Sequence, residues 1–265
     1  MSNSLSNNGS FRMPLLAGNW KMHKTVKESL SLVEQLKKDC REVKDREILV
    51  CPPFPSIVAV KESLQGSNIK LGAQNLFWEI SGAFTGEVSG PMLKEAGCDY
   101  CIIGHSERRQ YFGETDQSVQ KKMKAAFQFG LVPIVCVGET LNEREGNIHF
   151  KVVEKQIQEG TKDLKEEEAR RLVIAYEPVW AIGTGKTASP DQAQEMHAFI
   201  RKNLTALYGK ETAEQIRILY GGSIKPDNID SLMAKPDIDG GLVGGASLKS
   251  EDFTRIVKYV AYAKI

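Results

Sequence analysis

Nowhere does this sequence sustain an apolar run of the roughly 18 residues needed to cross a bilayer, and no secretory leader opens it. No membrane partner is expected, and a cytoplasmic location is. Neither sign of charge is in surplus: 35 basic and 34 acidic residues leave a net charge of +1. A nucleic acid or an anionic membrane surface would select a basic excess, so neither is expected as the main partner. Cysteine is scarce and odd in number, with Cys40, Cys51, Cys98, Cys101 and Cys136. That excludes the paired framework of a small secreted scaffold and fits a reducing compartment. Histidine is scarcer still, and His23, His149 and His197 lie scattered away from carboxylate clusters. No metal and no cofactor is expected.

What is present is a long, well-mixed chain: 265 residues, 41% hydrophobic and 26% charged. That is enough apolar material for a large core, at a length typical of an α/β barrel in one domain. Residues 1–12 are polar and aperiodic, and are expected to be a tag or disordered extension ahead of one domain over residues 13–265.

Past residue 13 short apolar runs alternate with longer segments of helical period. The runs are Leu15–Ala17, Ile48–Cys51, Ile69–Ala73, Tyr100–Ile103, Val132–Val137, Leu172–Tyr176, Arg217–Tyr220 and Gly241–Val243. Runs this brief suit strands buried on both faces of a parallel sheet. Between them, Val26, Leu30 and Val33 share one helix face, as do Val119, Met123, Ala126 and Phe127, and Met196, Ile200 and Leu204. Phe253, Ile256, Val257 and Val260 close the chain with a last amphipathic helix. The second and third helices read as short, and the seventh, near Ile229–Leu232, as the weakest. Uninterrupted strand–helix alternation implies right-handed parallel crossovers, and eight units match closure. The expected fold is α/β, a (β/α)₈ barrel of eight parallel strands ringed by helices.

In such a barrel function gathers where strands run out into the following loops. The residues there are Gly18-Asn19-Trp20-Lys21, Gly104-His105-Ser106-Glu107, Tyr176-Glu177-Pro178, Tyr220-Gly221-Gly222-Ser223 and Gly244-Gly245-Ala246-Ser247. Taken singly, each has an ordinary explanation: a solvated Lys, a packed His, a Glu capping a turn, glycines in tight bends. Their convergence at five strand ends has none. A Glu at a low-dielectric mouth can have a raised pKa and act as a general base. A neutral His at a helix N-terminus can polarise a carbonyl, because the positive helix end disfavours the imidazolium. A nearby Lys stabilises a developing oxyanion, and glycine N–H groups after the last two strands suit a phosphate. The set describes proton abstraction α to a carbonyl on a small phosphorylated substrate.

Gly183-Thr184-Gly185-Lys186-Thr187 is not a nucleotide P-loop, since Trp180 stands where that motif needs its first glycine. It reads instead as part of a lid between Pro178 and Thr187, with Val179 to Ile182 as an apolar tip that excludes water. Cys98-Asp99-Tyr100-Cys101 has redox spacing but ends inside a strand, so a structural role is expected. A Schiff-base aldolase on the same barrel would want a desolvated Lys inside it, whereas Lys21 follows Trp20 in a loop. A barrel kept as a non-catalytic adhesin or scaffold is the second alternative, and the intact Lys, His, Glu and lid speak against it.

From about Pro14 onward the sequence closely resembles the triosephosphate isomerase family. The motifs that carry the likeness are Gly18–Met22, Gly72–Asn75, Ser81–Glu87, Ile103–Arg109, Ala175–Lys186, Tyr220–Ser223 and Gly244–Leu248. The resemblance implies Glu177 as base, His105 as electrophile and proton shuttle, Lys21 as fixed positive charge and Asn19 as a substrate-orienting amide. It implies phosphate binding by the backbone of Gly183, Ser223, Gly244 and Gly245, with Ser106 and a buried Glu107 in support. It further implies a homodimer through the Gln74–Gly86 loop, whose Leu76, Phe77, Trp78 and Phe84 would form an odd exposed patch on a monomer.

Overall fold

The structure, a computed structural model, describes residues 12–182 and 187–260. Eight strands close a barrel in chain order: β1 (Leu15–Asn19), β2 (Glu47–Cys51), β3 (Ile69–Ala73), β4 (Tyr100–Ile103), β5 (Val132–Val137), β6 (Val173–Tyr176), β7 (Arg217–Tyr220) and β8 (Gly240–Val243). Every neighbouring pair is parallel, including the seam where Leu15 of β1 faces Gly240 of β8. At that seam Gly240 adopts φ 143°, and a side chain there would stand 2.0 Å from the Leu15 carbonyl oxygen. Only glycine lets the two strands meet.

Strand side chains alternate between two apolar layers, as period-2 geometry requires. Leu15, Ala17, Leu49, Cys51, Ile102, Ile134, Cys136, Val173, Ala175 and Leu219 fill the interior of the barrel. Their neighbours Leu16, Ile48, Val50, Ile103, Val135, Ile174 and Ile218 pack outward against the helices. Both faces are dry, so the strands read as continuous apolar runs. The lower end of the interior is plugged by a polar trio, in which Tyr100 donates to Glu47 Oε2 at 2.8 Å and Arg217 Nη2 to the Tyr100 oxygen at 2.9 Å.

The helices over Asp116–Gln128 and Pro190–Tyr208 bury the expected Val119, Met123, Ala126 and Phe127, and Met196, Ile200 and Leu204. The first helix, Val26–Cys40, departs from expectation: its buried face is Ser29, Leu32, Val33, Leu36 and Cys40, while Val26 is exposed and Leu30 half-buried. Its start is set by a capping box, in which Thr25 accepts from the Glu28 N–H and the Glu28 carboxylate accepts from the Thr25 N–H. The last helix, Ser250–Val257, buries Phe253, Ile256 and Val257; Val260 lies beyond it and is exposed. The helices between β2 and β4, Ile57–Ser63 and Gly90–Glu95, are short as expected; the segment read as the weakest helix forms one over Ile229–Met233.

Arg12, read from composition as part of the polar extension, is tied to the base of the barrel. Its guanidinium meets Asp239 Oδ1 at 2.7 Å and Glu214 Oε2 at 2.8 Å. The five cysteines are free and buried, and burial pushes the Cys98 thiol up to about 12 and those of Cys51, Cys101 and Cys136 far up as well. This matches a packing role for Cys98 and Cys101. Among the described residues no helix is long and apolar enough to cross a membrane.

Candidate active site

The C-terminal ends of the strands open into a cavity of about 670 Å³ lined by Asn19, Lys21, His105, Glu177, Ser223, Gly244 and Gly245, among others. The residues predicted from five separate strand ends therefore do meet. Gly183 lies outside the described residues. From the N-terminal part of the expected lid, Val179–Ala181 forms a 3-10 turn and Ile182 reaches the cavity wall.

Each side chain is placed by the backbone geometry of its strand end. At the end of β1, Asn19 is buried and its Oδ1 accepts the Lys21 N–H at 3.1 Å. Lys21 itself sits in the left-handed region at φ 52°, which few non-glycine residues adopt. Its carbonyl is held by Gln74 Nε2 at 2.9 Å, and its ammonium meets Glu107 Oε1 at 2.5 Å. At the end of β4, His105 caps the helix Ser106–Phe112, with Nδ1 accepting the Glu107 N–H at 3.2 Å. A ring nitrogen that accepts carries no proton, which assigns the neutral tautomer with the proton on Nε2. That proton points to Glu177 Oε1, 3.0 Å away.

Glu177 is 2% exposed and fully engaged: Oε2 accepts the Ser106 N–H at 2.9 Å and Oε1 accepts the Ser106 hydroxyl at 3.3 Å. Its backbone is wedged against β5, where a Cβ on Gly138 would lie 1.7 Å from the Glu177 carbonyl oxygen. The electrostatics correct one expectation. Burial does push the Glu177 carboxyl up, but His105, the Ser106 N–H and Lys21 outweigh it, and the net shift is downward. For His105 burial pulls the imidazole down, while Glu177 and Glu107 pull it up by more. The carboxylate is therefore stabilised by the same partners that hold it in place.

Glu107 is a second correction. It was expected to be buried; its side chain is 39% exposed and stands on the rim, paired with Lys21. The buried carboxylate supporting this strand end is Glu114. Its Oε2 accepts the Gly104 N–H at 3.1 Å, and Arg108 and Lys122 pair with Oε1. Lys122 in turn donates to Asn75 Oδ1 at 2.7 Å. Burial pushes Glu114 up, the two cations pull it further down, and the carboxylate stays charged.

Sequence reasoning also passed over Glu139, at the end of β5, whose fully buried carboxylate binds the Tyr176 hydroxyl at 3.0 Å and the Trp180 indole at 2.8 Å. Inspecting every strand end would have found it. Of the loop residues expected to be exposed, Leu76 is buried, Phe77 and Trp78 are half-buried, and Phe84 is 42% exposed. The three aromatics stack, with ring centroids 4.1 Å and 4.6 Å apart.

Comparison with known proteins agrees with this geometry along nearly the whole chain. A model of the triosephosphate isomerase family matches residues 14–260. A protein named triosephosphate isomerase from Endomicrobium trichonymphae is 61% identical over 248 residues, covering 94% of this chain and 99% of that one. Its namesake from Carboxydothermus hydrogenoformans is 59% identical over 247 residues, covering 93% and 98%. The crystal structure of triosephosphate isomerase from Bartonella henselae superposes with a TM-score of 0.84 at 41% identity, covering 92% of this chain and 97% of that one. With a closed barrel, a Lys–His–Glu mouth and likeness of this extent, the chain belongs to the triosephosphate isomerase family.

Proposed function

We propose that this isomerase interconverts dihydroxyacetone phosphate and D-glyceraldehyde 3-phosphate through an enediolate, a step of glycolysis and, in reverse, of gluconeogenesis, in the cytoplasm. Glu177 takes a proton from C1 of dihydroxyacetone phosphate and returns it at C2. His105, with its proton on Nε2, polarises the C2 carbonyl and moves a proton between the two enediolate oxygens, so that the hydroxyl ends on C2 and the aldehyde on C1. Lys21 supplies positive charge as the oxyanion develops, and Asn19 orients the substrate. Backbone N–H groups of Gly183, Ser223, Gly244 and Gly245 hold the phosphate. Ser106 and Glu107 support Glu177 and Lys21.

The observation that carries this reading is the contact of Glu177 with His105 on the wall of a cavity shared with Lys21 and Gly244-Gly245. A base and an electrophile 3.0 Å apart can bracket two adjacent carbons. When substrate displaces the contact, Glu177 loses partners that hold its pKa down, and burial then favours proton uptake. The test is conversion of glyceraldehyde 3-phosphate by chelator-treated protein, coupled to reduction of the product. Fast turnover without added metal or cofactor is expected; a folded but inactive protein would overturn the proposal.

The same reading makes the protein a homodimer through the Gln74–Gly86 loop. Phe84 and Ile80 are exposed there, and the exposed Met22 and Phe112 border the same groove as Gln74 and Asn75. Sedimentation of Phe84→Asp beside the parent tests it: a dimeric parent and a monomeric variant are expected.

A further inference from the structure

Lys21 holds a backbone conformation it would not adopt unaided. At φ 52° its Cβ crowds the neighbouring carbonyl, and a free lysine would relax to negative φ. Relaxation would swing the side chain away from the cavity wall, where Cε now lies 3.5 Å from the position of a Cβ on Gly244. Besides the rim pair of the ammonium with Glu107, two backbone contacts oppose it. One is local: the N–H is accepted by Asn19, two residues before. The other is distant: the carbonyl accepts from Gln74 Nε2 at 2.9 Å.

The same nitrogen donates to the Cys51 carbonyl, also at 2.9 Å. Both partners are carbonyl oxygens, so the amide end facing them is the nitrogen, and both of its hydrogens are used. Cys51 O also accepts the Trp20 N–H at 3.1 Å. Gln74 thus bolts the end of β2 to the backbone of Lys21 and to the strand end that carries it. Gln74 lines a groove of about 300 Å³ that adjoins the catalytic cavity and shares Asn19, Lys21 and His105 with it, but Gln74 is not in the wall of the cavity itself. It does not touch the reacting atoms.

We propose that Gln74 is a positioning residue that acts through Lys21, keeping the lysine in its left-handed conformation and its ammonium over the phosphorylated substrate. The proposal rests on the triose phosphate reading of the site. Glutamine suits this role because it offers two hydrogens from one uncharged nitrogen; a glutamate carboxylate offers none, and methionine has no side-chain hydrogen to donate.

Gln74→Met is compared in the Lys21 protein and in a Lys21→Met background, with two readouts: kcat/KM for glyceraldehyde 3-phosphate, and affinity for inorganic phosphate by calorimetry. In the Lys21 protein both fall, kcat/KM by about ten- to a hundredfold, the scale of releasing one strained backbone conformation. In the Lys21→Met background the same change moves either readout by less than about twofold, because nothing remains to be positioned. Equal losses in the two backgrounds would make Gln74 a structural residue and overturn the proposal, as would a Gln74→Met protein matching its parent. If the methionine variant does not fold, Gln74→Glu, of the same shape but with acceptors only, carries the comparison. An inactive parent would strike the proposed reaction, and the phosphate affinities would still decide the role of Gln74.

Discussion

The Nε2–H of His105 and the Oε1 of Glu177 meet across 3.0 Å, although the two residues belong to different strand ends. The contact draws the imidazole pKa up and the carboxyl pKa down, each against the push of burial. The pair is thus mutually stabilising, and on the proposed mechanism the position of the carboxylate matters as much as its charge.

Glu177→Asp tests that position. Removing one methylene retracts the carboxylate by about 1 Å, a displacement that lowers kcat about a hundredfold or more. Circular dichroism should match the parent. A near-normal kcat would remove Glu177 as the base.

Gly138→Ala tests the same geometry from behind. The added methyl would overlap the Glu177 carbonyl oxygen, which it would approach to 1.7 Å, so strand β6 must give way. Loss of at least about a hundredfold in kcat is expected, with a lowered melting temperature. Full activity in this variant would show that the Glu177 backbone has room to move.

Glu107→Gln separates rim from interior. The Lys21–Glu107 pair is short, but the side chains are 25% and 39% exposed, so solvent screens it. Pairs of that kind contribute at most about 1 kcal/mol. KM is expected to change by less than about fivefold, and the difference to shrink as salt is raised. A hundredfold loss of kcat would place Glu107 in the chemistry.

His197 predicts a pH dependence of stability. It is fully buried, and burial pulls its pKa from 6.5 down to about 4. Between those values the unfolded chain binds a proton that the folded chain refuses, so stability rises with pH across the window. The contribution is complete above about pH 6.5 and is lost as pH falls towards 4. The slope approaches about 1.4 kcal/mol per pH unit in the middle of the window, or about 1.5 kcal/mol in all between pH 6.5 and 5. His197→Gln keeps a donor near the Asp237 carbonyl, 3.1 Å from Nδ1, and should flatten that dependence. Urea midpoints of both proteins between about pH 5 and 7 make the comparison; parallel curves would contradict it.

Strands were the most legible elements, because a strand buried on both faces is apolar at nearly every position. The charged exceptions, Glu47, Lys70 and Arg217, lie near the lower ends of β2, β3 and β7. β3, β4, β5 and β7 begin and end where their apolar runs do. The first helix was misphased because its buried face includes Ser29, whose hydroxyl pairs with that of Ser56 at 3.2 Å. A count of apolar residues passes over such a position. In the site, Lys21, His105 and Glu177 stood out by type at their strand ends and all three line the cavity, while Glu139 at the end of β5 was passed over. Gln74, Asn75 and Glu114 did not, since they act on backbone groups and buried cations, Gln74 and Asn75 from segments far along the chain. Chain order carries no sign of those partners. The downward shift of Glu177 was illegible for the same reason: its cause is a contact between β4 and β6.

The seam between β1 and β8 has a consequence for how the protein acquires its activity. Lys21 stands just past one side of that seam and Gly244-Gly245 just past the other, so the ammonium and the proposed phosphate cradle face each other only when the first and last strands have paired. Synthesis from the N-terminus delivers β8 last. A chain lacking its final segment would hold His105 and Glu177 but no complete cradle, and catalysis during refolding should therefore appear with ring closure and not with the earlier gain of helix. Gly240 would then be a kinetic gatekeeper, since any side chain there obstructs the final docking of the two strands.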